Sequence, residues 1–525
     1  MPEQELESTR PDLTETRRRR SLIRDEGRVD VVAARHASGR RTARENLADL
    51  CDHGSFVEYG GLAIAAQRGR RSIDDLVHRT PADGLIAGTA RVNSALVGEE
   101  RAHCALLSYD YTVLAGTQGV MGHRKKDRLF DVIERRRLPV VLFAEGGGGR
   151  PGDTDHAMVA GLDVMAFALW ARLSGVVPRI GIASGRCFAG NAALLGCSDL
   201  IIATPEASIG MGGPAMIEGG GLGVVEADQV GPFDMQVKNG VIDIAATDEA
   251  DAVRLARHAL SFFQGPVAAW DAPDQRALRT VVPENRRRAY AVHRAIEIIA
   301  DTESSLELRS KFGRGMVTVL ARIEGRPVGI VANNPMHLAG AITSDGADKA
   351  ARFLQLCEAF RLPVLFLCDT PGIMVGPDAE TTGLVRHASR LFLAGAALTV
   401  PFMTVVLRKG YGLGAQAMAG GSFRAPLMTV AWPSGEFGGM GLEGAVKLAY
   451  RKELEAITDD QARKAQYDAM VTEAYERGTA LNTATYFEVD DVVDPAATRA
   501  LVASVILYPG GSPREAPRRR YVDSW

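Results

Sequence analysis

The sequence has little cysteine and little histidine for its length, with 6 cysteines and 10 histidines among 525 residues. No two cysteines have the Cys-x-x-Cys spacing of a zinc ribbon, so we expect no bound metal. Six scattered cysteines in a chain of this length indicate a reducing compartment rather than a disulfide framework. We therefore expect a cytoplasmic protein.

The sequence also lacks a large excess of charge of either sign and an uninterrupted apolar run of membrane length. Its formal net charge is −3, which gives no reason to expect nucleic-acid binding. The longest apolar run, residues 391–407, is interrupted by Pro401 and bordered by Arg390 and Arg408. A buried helix followed by a buried strand fits this run better than a membrane span, so we expect no membrane association.

No Ser-His-Asp or Cys-His arrangement for nucleophilic catalysis stands out. Cys187 lies beside a glycine-containing turn, but a small buried thiol is favoured over a nucleophile at this position. A sequence without an evident acid–base set suits a reaction in which the cofactor or the substrate supplies the base. The protein then supplies oriented backbone amides.

The chain contains an internal repeat. Residues 137–140 and 361–364 both read Arg-Leu-Pro-Val before an apolar strand, and they are 224 residues apart (361 minus 137). Similar pairs follow in the same order, including the Gly-Gly pairs at 212–213 and 438–439. Buried strands alternate with helices in each half, which indicates an α/β fold. The Pro- and Gly-containing segment 264–285 marks the boundary, and we assign the domains to residues 1–270 and 271–525.

Two strand-to-helix junctions carry most of the functional information. In the first half a strand leads through residues 185–190 into a helix, and in the second half a strand leads through residues 409–416 into another. Small residues there let backbone N–H groups approach a ligand, and a helix N-terminus adds partial positive charge. Such a junction can form an oxyanion hole for a thioester enolate. The alternative is that the glycines only permit tight packing.

Two glycine patterns point to nucleotide sites but do not satisfy their requirements. Gly412-x-Gly414-x-x-Ala417 matches a relaxed dinucleotide fingerprint, but Glu436, the acid at about the required distance, lies in a glycine-rich turn rather than at a strand end. The four glycines at 146–149 are not followed by Gly-Lys-Ser/Thr, which excludes a P-loop. We interpret residues 146–149 as a loop that lies close over a ligand.

The sequence resembles the carboxyltransferase (β) subunits of biotin-dependent acyl-CoA carboxylases of the propionyl-CoA, methylcrotonyl-CoA and acetyl-CoA type. The resemblance extends from about residue 35 to residue 525. It rests on the motifs at residues 35–37, 39–46, 54–56, 173–178, 329–335, 369–372 and 408–412.

The resemblance implies two tandem crotonase-like (ClpP/crotonase) domains related by the internal duplication, in a homohexamer with active sites at the dimer interface. The implied reaction moves a carboxyl group from carboxybiotin to the α- or vinylogous carbon of an acyl-CoA thioester, whose enolate is held by backbone amides. The sequence has no Ala-Met-Lys-Met biotin-attachment tetrapeptide and no ATP-grasp half. A partner, the biotin carboxylase/biotin carboxyl carrier (α) subunit, would therefore supply biotin in trans.

The same resemblance assigns the site residues. The N-terminal domain would bind acyl-CoA, with the amides of Ala189 and Gly190 holding the thioester. The C-terminal domain would bind biotin, with the amides of Leu413 and Gly414 holding the ureido group. Further substrate contacts are expected from Gly147, Gly148, Arg150, Gly212 and Gln416, and further biotin contacts from Tyr411, Gly412, Gly438 and Gly439.

The sequence departs from the family pattern at these positions. Ala189-Gly190 stands where the family usually has Gly-Gly, and residues 412–414 read Gly-Leu-Gly in place of Gly-Gly-Ala. Gln416 replaces an acid found in many propionyl-type members, which leaves the acyl specificity open. Three alternatives also stay open: a sodium-pump decarboxylase subunit that runs the reverse transfer, a crotonase-type hydratase or hydrolase, and a non-catalytic scaffold subunit.

Overall fold

The computed structural model describes residues 10–150, 152–155, 162–508 and 522–525. The chain divides into two compact units between Gln264 and Gly265, whereas the sequence analysis placed the boundary after residue 270. The assignment of one ligand to each unit stays a prediction.

The first unit is built on a seven-stranded sheet. The strands of the unit are β1 (Val57–Glu58), β2 (Leu85–Arg91), β3 (His103–Tyr109), β4 (Val140–Phe143), β5 (Arg179–Ala183), β6 (Arg186–Phe188), β7 (Leu200–Ala203), β8 (Ser208–Gly210) and β9 (Ile244–Ala245). The sheet order is β1-β2-β3-β4-β5-β7-β9, antiparallel from β1 to β3 and parallel from β3 onward. Strands β6 and β8 form a separate parallel pair.

Helices cover this sheet. They are α1 (Pro11–Leu22), α2 (Val29–Ala37), α3 (Ala43–Leu50), α4 (Ile73–Arg79), α5 (Ser94–Val97), α6 (Val120–Arg136), α7 (Ala166–Arg172), α8 (Gly190–Gly196), α9 (Pro214–Gly219), α10 (Phe233–Lys238) and α11 (Glu249–Phe263). Every residue of β4, β5 and β7 is buried, as is typical of parallel strands covered on both faces. The core of the unit lies between these strands and helices such as α6 and α7, where Phe130 packs on Trp170.

The second unit has an eight-stranded sheet of the same design. Its strands are β10 (Leu306–Leu308), β11 (Met316–Ile323), β12 (Arg326–Asn333), β13 (Val364–Thr370), β14 (Phe402–Tyr411), β15 (Met428–Ala431), β16 (Glu436–Gly438) and β17 (Asp491–Val492). The order is β10-β11-β12-β13-β14-β15-β17, and β16 pairs with the end of β14. The first three strands are antiparallel and the others are parallel.

The helices of the second unit follow the same alternation. They are α12 (Val292–Ile299), α13 (Ser344–Ala359), α14 (Pro377–Glu380), α15 (Leu384–Ala396), α16 (Gly412–Ala417), α17 (Leu442–Ala449), α18 (Arg451–Glu455), α19 (Asp460–Arg477), α20 (Ala480–Thr485) and α21 (Thr498–Val502). Within the described residues, no helix combines the length and the apolar character needed to cross a membrane.

Backbone conformation repeats between the units at the 224-residue spacing found in the sequence. Arg137 and Arg361 follow α6 and α13 with φ of 53° and 58°, in the left-handed region that few non-glycine residues adopt. Ala115 and Ala339 both have φ of 55° in the loops before those helices. Because such strained positions rarely coincide by chance, the structure supports the internal duplication.

Candidate active site

The first junction joins β6 to α8 through Ala189. Ala189 has φ 50° and ψ −120°, a conformation normally reserved for glycine. Its N–H donates to the Gly210 carbonyl at 3.1 Å, because β6 pairs with β8. The Gly190 N–H, at the first position of α8, has no acceptor among the described residues. Of the two predicted amides only that of Gly190 is available, so the prediction for the Ala189 amide needs correction.

The glycine-rich loop at residues 146–150 lies against this junction. On one side Gly146 donates its N–H to the Arg186 carbonyl at 2.7 Å, and on the other side Gln118 donates its N–H to the Gly148 carbonyl at 2.6 Å. A side chain on Gly148, whose φ is +87°, would place its Cβ 2.7 Å from the Ala189 Cβ and 3.5 Å from the Gly190 nitrogen. Glycine at 148 therefore permits this close approach and brings the Gly148 backbone next to Gly190.

Arg150, predicted to contact substrate, is held within the protein. Its guanidinium donates to the Asp83 carboxylate at 2.6 Å, the Asp153 carboxylate at 3.1 Å and the Thr117 carbonyl at 2.9 Å. The side chain is 6% exposed. These contacts give Arg150 the role of fixing the end of the glycine loop, and the Asp83 and Asp153 carboxylates balance its charge.

The two other predicted substrate glycines of the first unit differ in position. Gly147 lies in the loop, where a Cβ would meet only the Thr117 methyl group, at 3.6 Å. Gly212 follows β8, whose last residue, Gly210, accepts the hydrogen bond from Ala189. Both therefore lie around the first junction.

The second junction joins β14 to α16. The N–H groups of Leu413 and Gly414, the second and third residues of α16, have no acceptor among the residues that the structure describes. The parallel pairing of Tyr411 with Gly438 engages the Gly412 N–H. Gly412 has φ +55°, and a Cβ there would lie 2.7 Å from the Gly439 carbonyl oxygen. A Cβ on Gly414 would lie 2.6 Å from Gly372 Cα. Glycine at 412 and 414 thus allows three chain segments to meet at the start of one helix.

An open groove of about 1020 Å³ lies over this junction. It brings together five of the predicted residues, namely Gly412, Leu413, Gln416, Gly438 and Gly439. The Tyr411 side chain is not among the groove-lining residues, since it is buried and its hydroxyl donates to Glu436 at 3.0 Å. Burial raises the pKa of Tyr411 above its usual value.

Cys187, the candidate nucleophile near the first junction, is fully buried in β6. Burial raises the pKa of its thiol well above the usual range, so the thiolate that nucleophilic attack requires is disfavoured. Across the described ranges, no cluster of three or more His, Cys, Asp or Glu side chains is arranged to hold a metal ion.

Sequence reasoning missed the buried polar side chains beneath the first junction. Gln118 donates from Nε2 to Asn191 Oδ1 at 2.5 Å, and Asn191 donates to the Gly116 carbonyl at 3.1 Å. The repeat could have revealed them, because the matching positions of the second half, Ile342 for Gln118 and Gly414 for Asn191, carry no polar side chain.

Comparison with known proteins identifies the family to which this chain belongs. Residues 34–520 match the family model described as the carboxyl transferase domain. The chain belongs to the carboxyl transferase family. It is 33% identical over 502 residues to the methylmalonyl-CoA carboxyltransferase 12S subunit of Propionibacterium freudenreichii subsp. shermanii, covering 93% of this chain and 92% of that protein. It is 30% identical over 531 residues to the biotin-dependent long chain acyl-coenzyme A carboxylase beta4 subunit of Mycobacterium tuberculosis, covering 95% and 94%.

Solved structures agree with this result. A single-chain, multi-domain long-chain acyl-CoA carboxylase superposes with a TM-score of 0.90 at 60% identity, over 95% of this chain. The chain spans 49% of that protein. The hexameric transcarboxylase 12S, solved with methylmalonyl-coenzyme A and methylmalonic acid bound, has a TM-score of 0.84 at 30% identity and is covered over 99% of its length. The predicted family, the crotonase-like α/β fold and the carboxyltransferase class are confirmed.

Ala189→Gly is expected to stabilise the protein. Relief of the strained backbone recovers roughly 1–3 kcal/mol, which exceeds the cost of about 0.5–1 kcal/mol for added freedom of the unfolded chain. Chemical unfolding should show a higher midpoint for the variant. As a control, Ala192→Gly within α8 should lower the midpoint. A lower midpoint for Ala189→Gly would contradict the strain argument.

Proposed function

We propose that this chain transfers a carboxyl group from carboxybiotin, carried on a partner subunit or domain, to the α- or vinylogous carbon of an acyl-CoA. One observation carries the proposal: each unit presents unpaired backbone N–H groups at a strand-to-helix junction, and Gly190 and Leu413 each lie two residues after a strand that pairs in the same register. Family membership supplies the reaction class.

On the acyl-CoA side, assigned to the first unit, we infer that the N–H groups of Gly190 and Gly148 hold the thioester oxygen. Both lie within one small region, since a Cβ on Gly148 would be 3.5 Å from the Gly190 nitrogen. Two N–H donors, together with the positive end of α8, stabilise negative charge more strongly in the enolate than in the thioester. Gly148 thereby takes the role that the sequence analysis gave to Ala189.

On the biotin side, assigned to the second unit, the N–H groups of Leu413 and Gly414 would hold the ureido carbonyl. The residues fit this group, because the adjacent N–H groups of Leu413 and Gly414 lack acceptors among the described residues and the groove beside them admits a ring-sized ligand. Biotin, when bound there, supplies the carboxyl group and accepts the α-proton. The residues of this chain orient both partners and hold the developing charge, which agrees with the absence of a side-chain base from the sequence motifs.

The assembly that we propose follows the relatives. The 12S relative is a hexamer, and we expect this chain to form a homohexamer with active sites at the dimer interface. Biotin would come from a biotin carboxylase/biotin carboxyl carrier (α) partner.

The crotonase-type hydratase alternative has less support. Such an enzyme needs a positioned carboxylate near the thioester, and the candidates in this sequence are Glu145 and Glu218. Glu145 is buried in an ion pair with Arg35 at 2.7 Å, and Glu218 is exposed on the short helix α9. Neither carboxylate is placed beside Gly190 to move a proton on a thioester-bound substrate.

The proposed function is tested by assaying a panel of acyl-CoAs from acetyl to long-chain. The chain is supplied with a carboxylated biotin carrier, ATP and bicarbonate. Because the relative at 60% identity is a long-chain acyl-CoA carboxylase, we expect carboxylation to be fastest with long acyl chains. If no acyl-CoA in the panel is carboxylated although the carrier is shown to be carboxylated, the decarboxylase or scaffold alternatives would be favoured.

Leu413→Pro is expected to abolish most of the transfer. Proline is tolerated in the first turn of a helix and removes only the N–H donor, and the Leu413 side chain is 62% exposed, so folding should survive. Loss of one such donor costs about 10²–10³ in kcat. Leu413→Ala, which keeps the N–H, is the matched control and should transfer at close to the wild-type rate. Equal rates for the two variants would remove this amide from the site.

Gln416→Asp is expected to change the preference among acyl-CoAs. Gln416 lines the groove, and a carboxylate there replaces a neutral amide with a charge that apolar acyl chains avoid. The ratio of short-chain to long-chain rates should rise by about tenfold. An unchanged ratio in the acyl-CoA panel would show that Gln416 does not contact the acyl group.

A further inference from the structure

A buried lysine that has no ion-pair partner among the described residues lies beneath the first junction. Lys126 of α6 is 0% exposed. Its Nζ donates to Tyr109 Oη at 2.9 Å and to Gln118 Oε1 at 2.7 Å. The rings of Tyr109 and Phe167 lie 5.7 and 5.8 Å from Nζ. Since a buried ammonium normally has a carboxylate partner, the position of Lys126 needs another explanation.

Gln118 connects Lys126 to both proposed N–H donors. Its Nε2 lies 3.1 Å from the place that a Cβ on Gly190 would occupy, and its backbone N–H bonds to the Gly148 carbonyl at 2.6 Å. The bond from Lys126 to Oε1 fixes which end of the amide faces Asn191, because only Nε2 can then donate to Asn191 Oδ1. The orientation of Gln118 therefore depends on Lys126.

Among the described residues, the second unit has no equivalent network. Ala350 replaces Lys126 and Ile342 replaces Gln118, each 224 residues later. Gly414 replaces Asn191, because the strands before the two junctions match at a spacing of 223. The fold forms without these polar groups, so the fold alone does not explain their burial in the first unit. Burying them costs free energy that an apolar core avoids.

Lys126 can make its hydrogen bonds whether its amine is protonated or neutral. Burial lowers the pKa of Lys126 to about 7, with Asp127 and Asp83 opposing the shift. His123, whose pKa burial lowers to about 4, is close enough for Lys126 to add to that shift. Near neutral pH both forms of Lys126 exist, and both carry the N–H groups that bond to Tyr109 and Gln118.

We propose that Lys126 is a positioning residue of the acyl-CoA side: through Gln118 and Asn191 it fixes the relative placement of the Gly148 and Gly190 N–H groups that hold the enolate oxygen. The inference rests on the proposed function of this junction.

The test compares Lys126→Gln with Lys125→Gln in the carboxylation assay. Lys125 is the neighbouring lysine of α6 and is also buried, but it donates to the Ala82 carbonyl at 2.9 Å and to the Leu85 carbonyl instead of to Gln118. Displacing an enolate donor should lower kcat by about 10- to 100-fold, less than outright removal of one, while KM for the acyl-CoA changes little. Lys125→Gln should leave kcat of the folded protein close to wild type.

Hydrogen–deuterium exchange gives a second readout that does not depend on activity. Lys126→Gln should raise deuterium uptake in peptides that contain the amides of Gln118 and Arg150, which bond across the glycine loop, and Lys125→Gln should not. A wild-type kcat for Lys126→Gln, or equal uptake in the two variants, would overturn the inference.

Two further outcomes are distinguishable. If Lys126→Gln does not fold, Asn191→Ala, which removes the amide that accepts from Gln118, should show the same loss of kcat, and a wild-type kcat would overturn the inference. If the wild-type chain itself carboxylates no acyl-CoA, the proposed function fails, and the exchange comparison still decides whether Lys126 positions the loop.

Discussion

The first N–H groups of an α-helix have no acceptor within the helix, and both candidate half-sites depend on this constraint. At each junction a strand turns directly into a short helix, so that these N–H groups stay unpaired beside an open surface. The turn requires backbone conformations and close approaches that side chains obstruct, as at Gly412 and Gly414. Small residues at the junctions therefore determine where charge on a ligand can be stabilised.

The two duplicated units share one architecture but differ in the residues around the junction, as expected if each unit binds a different ligand. Both units keep the sheet order, the left-handed residues Arg137 and Arg361 and the strand-to-helix turn. Below the turn the first unit has a buried polar network with Lys126, whereas the second unit has apolar residues at those positions. Above it, the second unit has a wide groove that includes Gln416. Two copies of one structure thus support ligands of different shape.

The fold and the junctions could be predicted from sequence because both depend on local signals. Buried strands, helical periodicity and the repeat of Arg-Leu-Pro-Val indicate the architecture, and glycine-rich turns mark the junctions. Contacts between distant segments could not be predicted in the same way. Whether the Ala189 N–H is free depends on the pairing of β6 with β8, and the orientation of Arg150 depends on Asp83, 67 residues away. Glycine, alanine and arginine residues do not reveal such partners by their identity.

The most direct measurement of the central claim is a crystal structure with an unreactive acyl-CoA analogue bound. The account predicts the thioester oxygen at about 2.7–3.1 Å from the Gly190 nitrogen, with the Gly148 N–H directed at the same atom. It also predicts that the Leu413 and Gly414 amides stay free for biotin. A thioester held at Leu413, or one that contacts no backbone N–H at the first junction, would contradict the account.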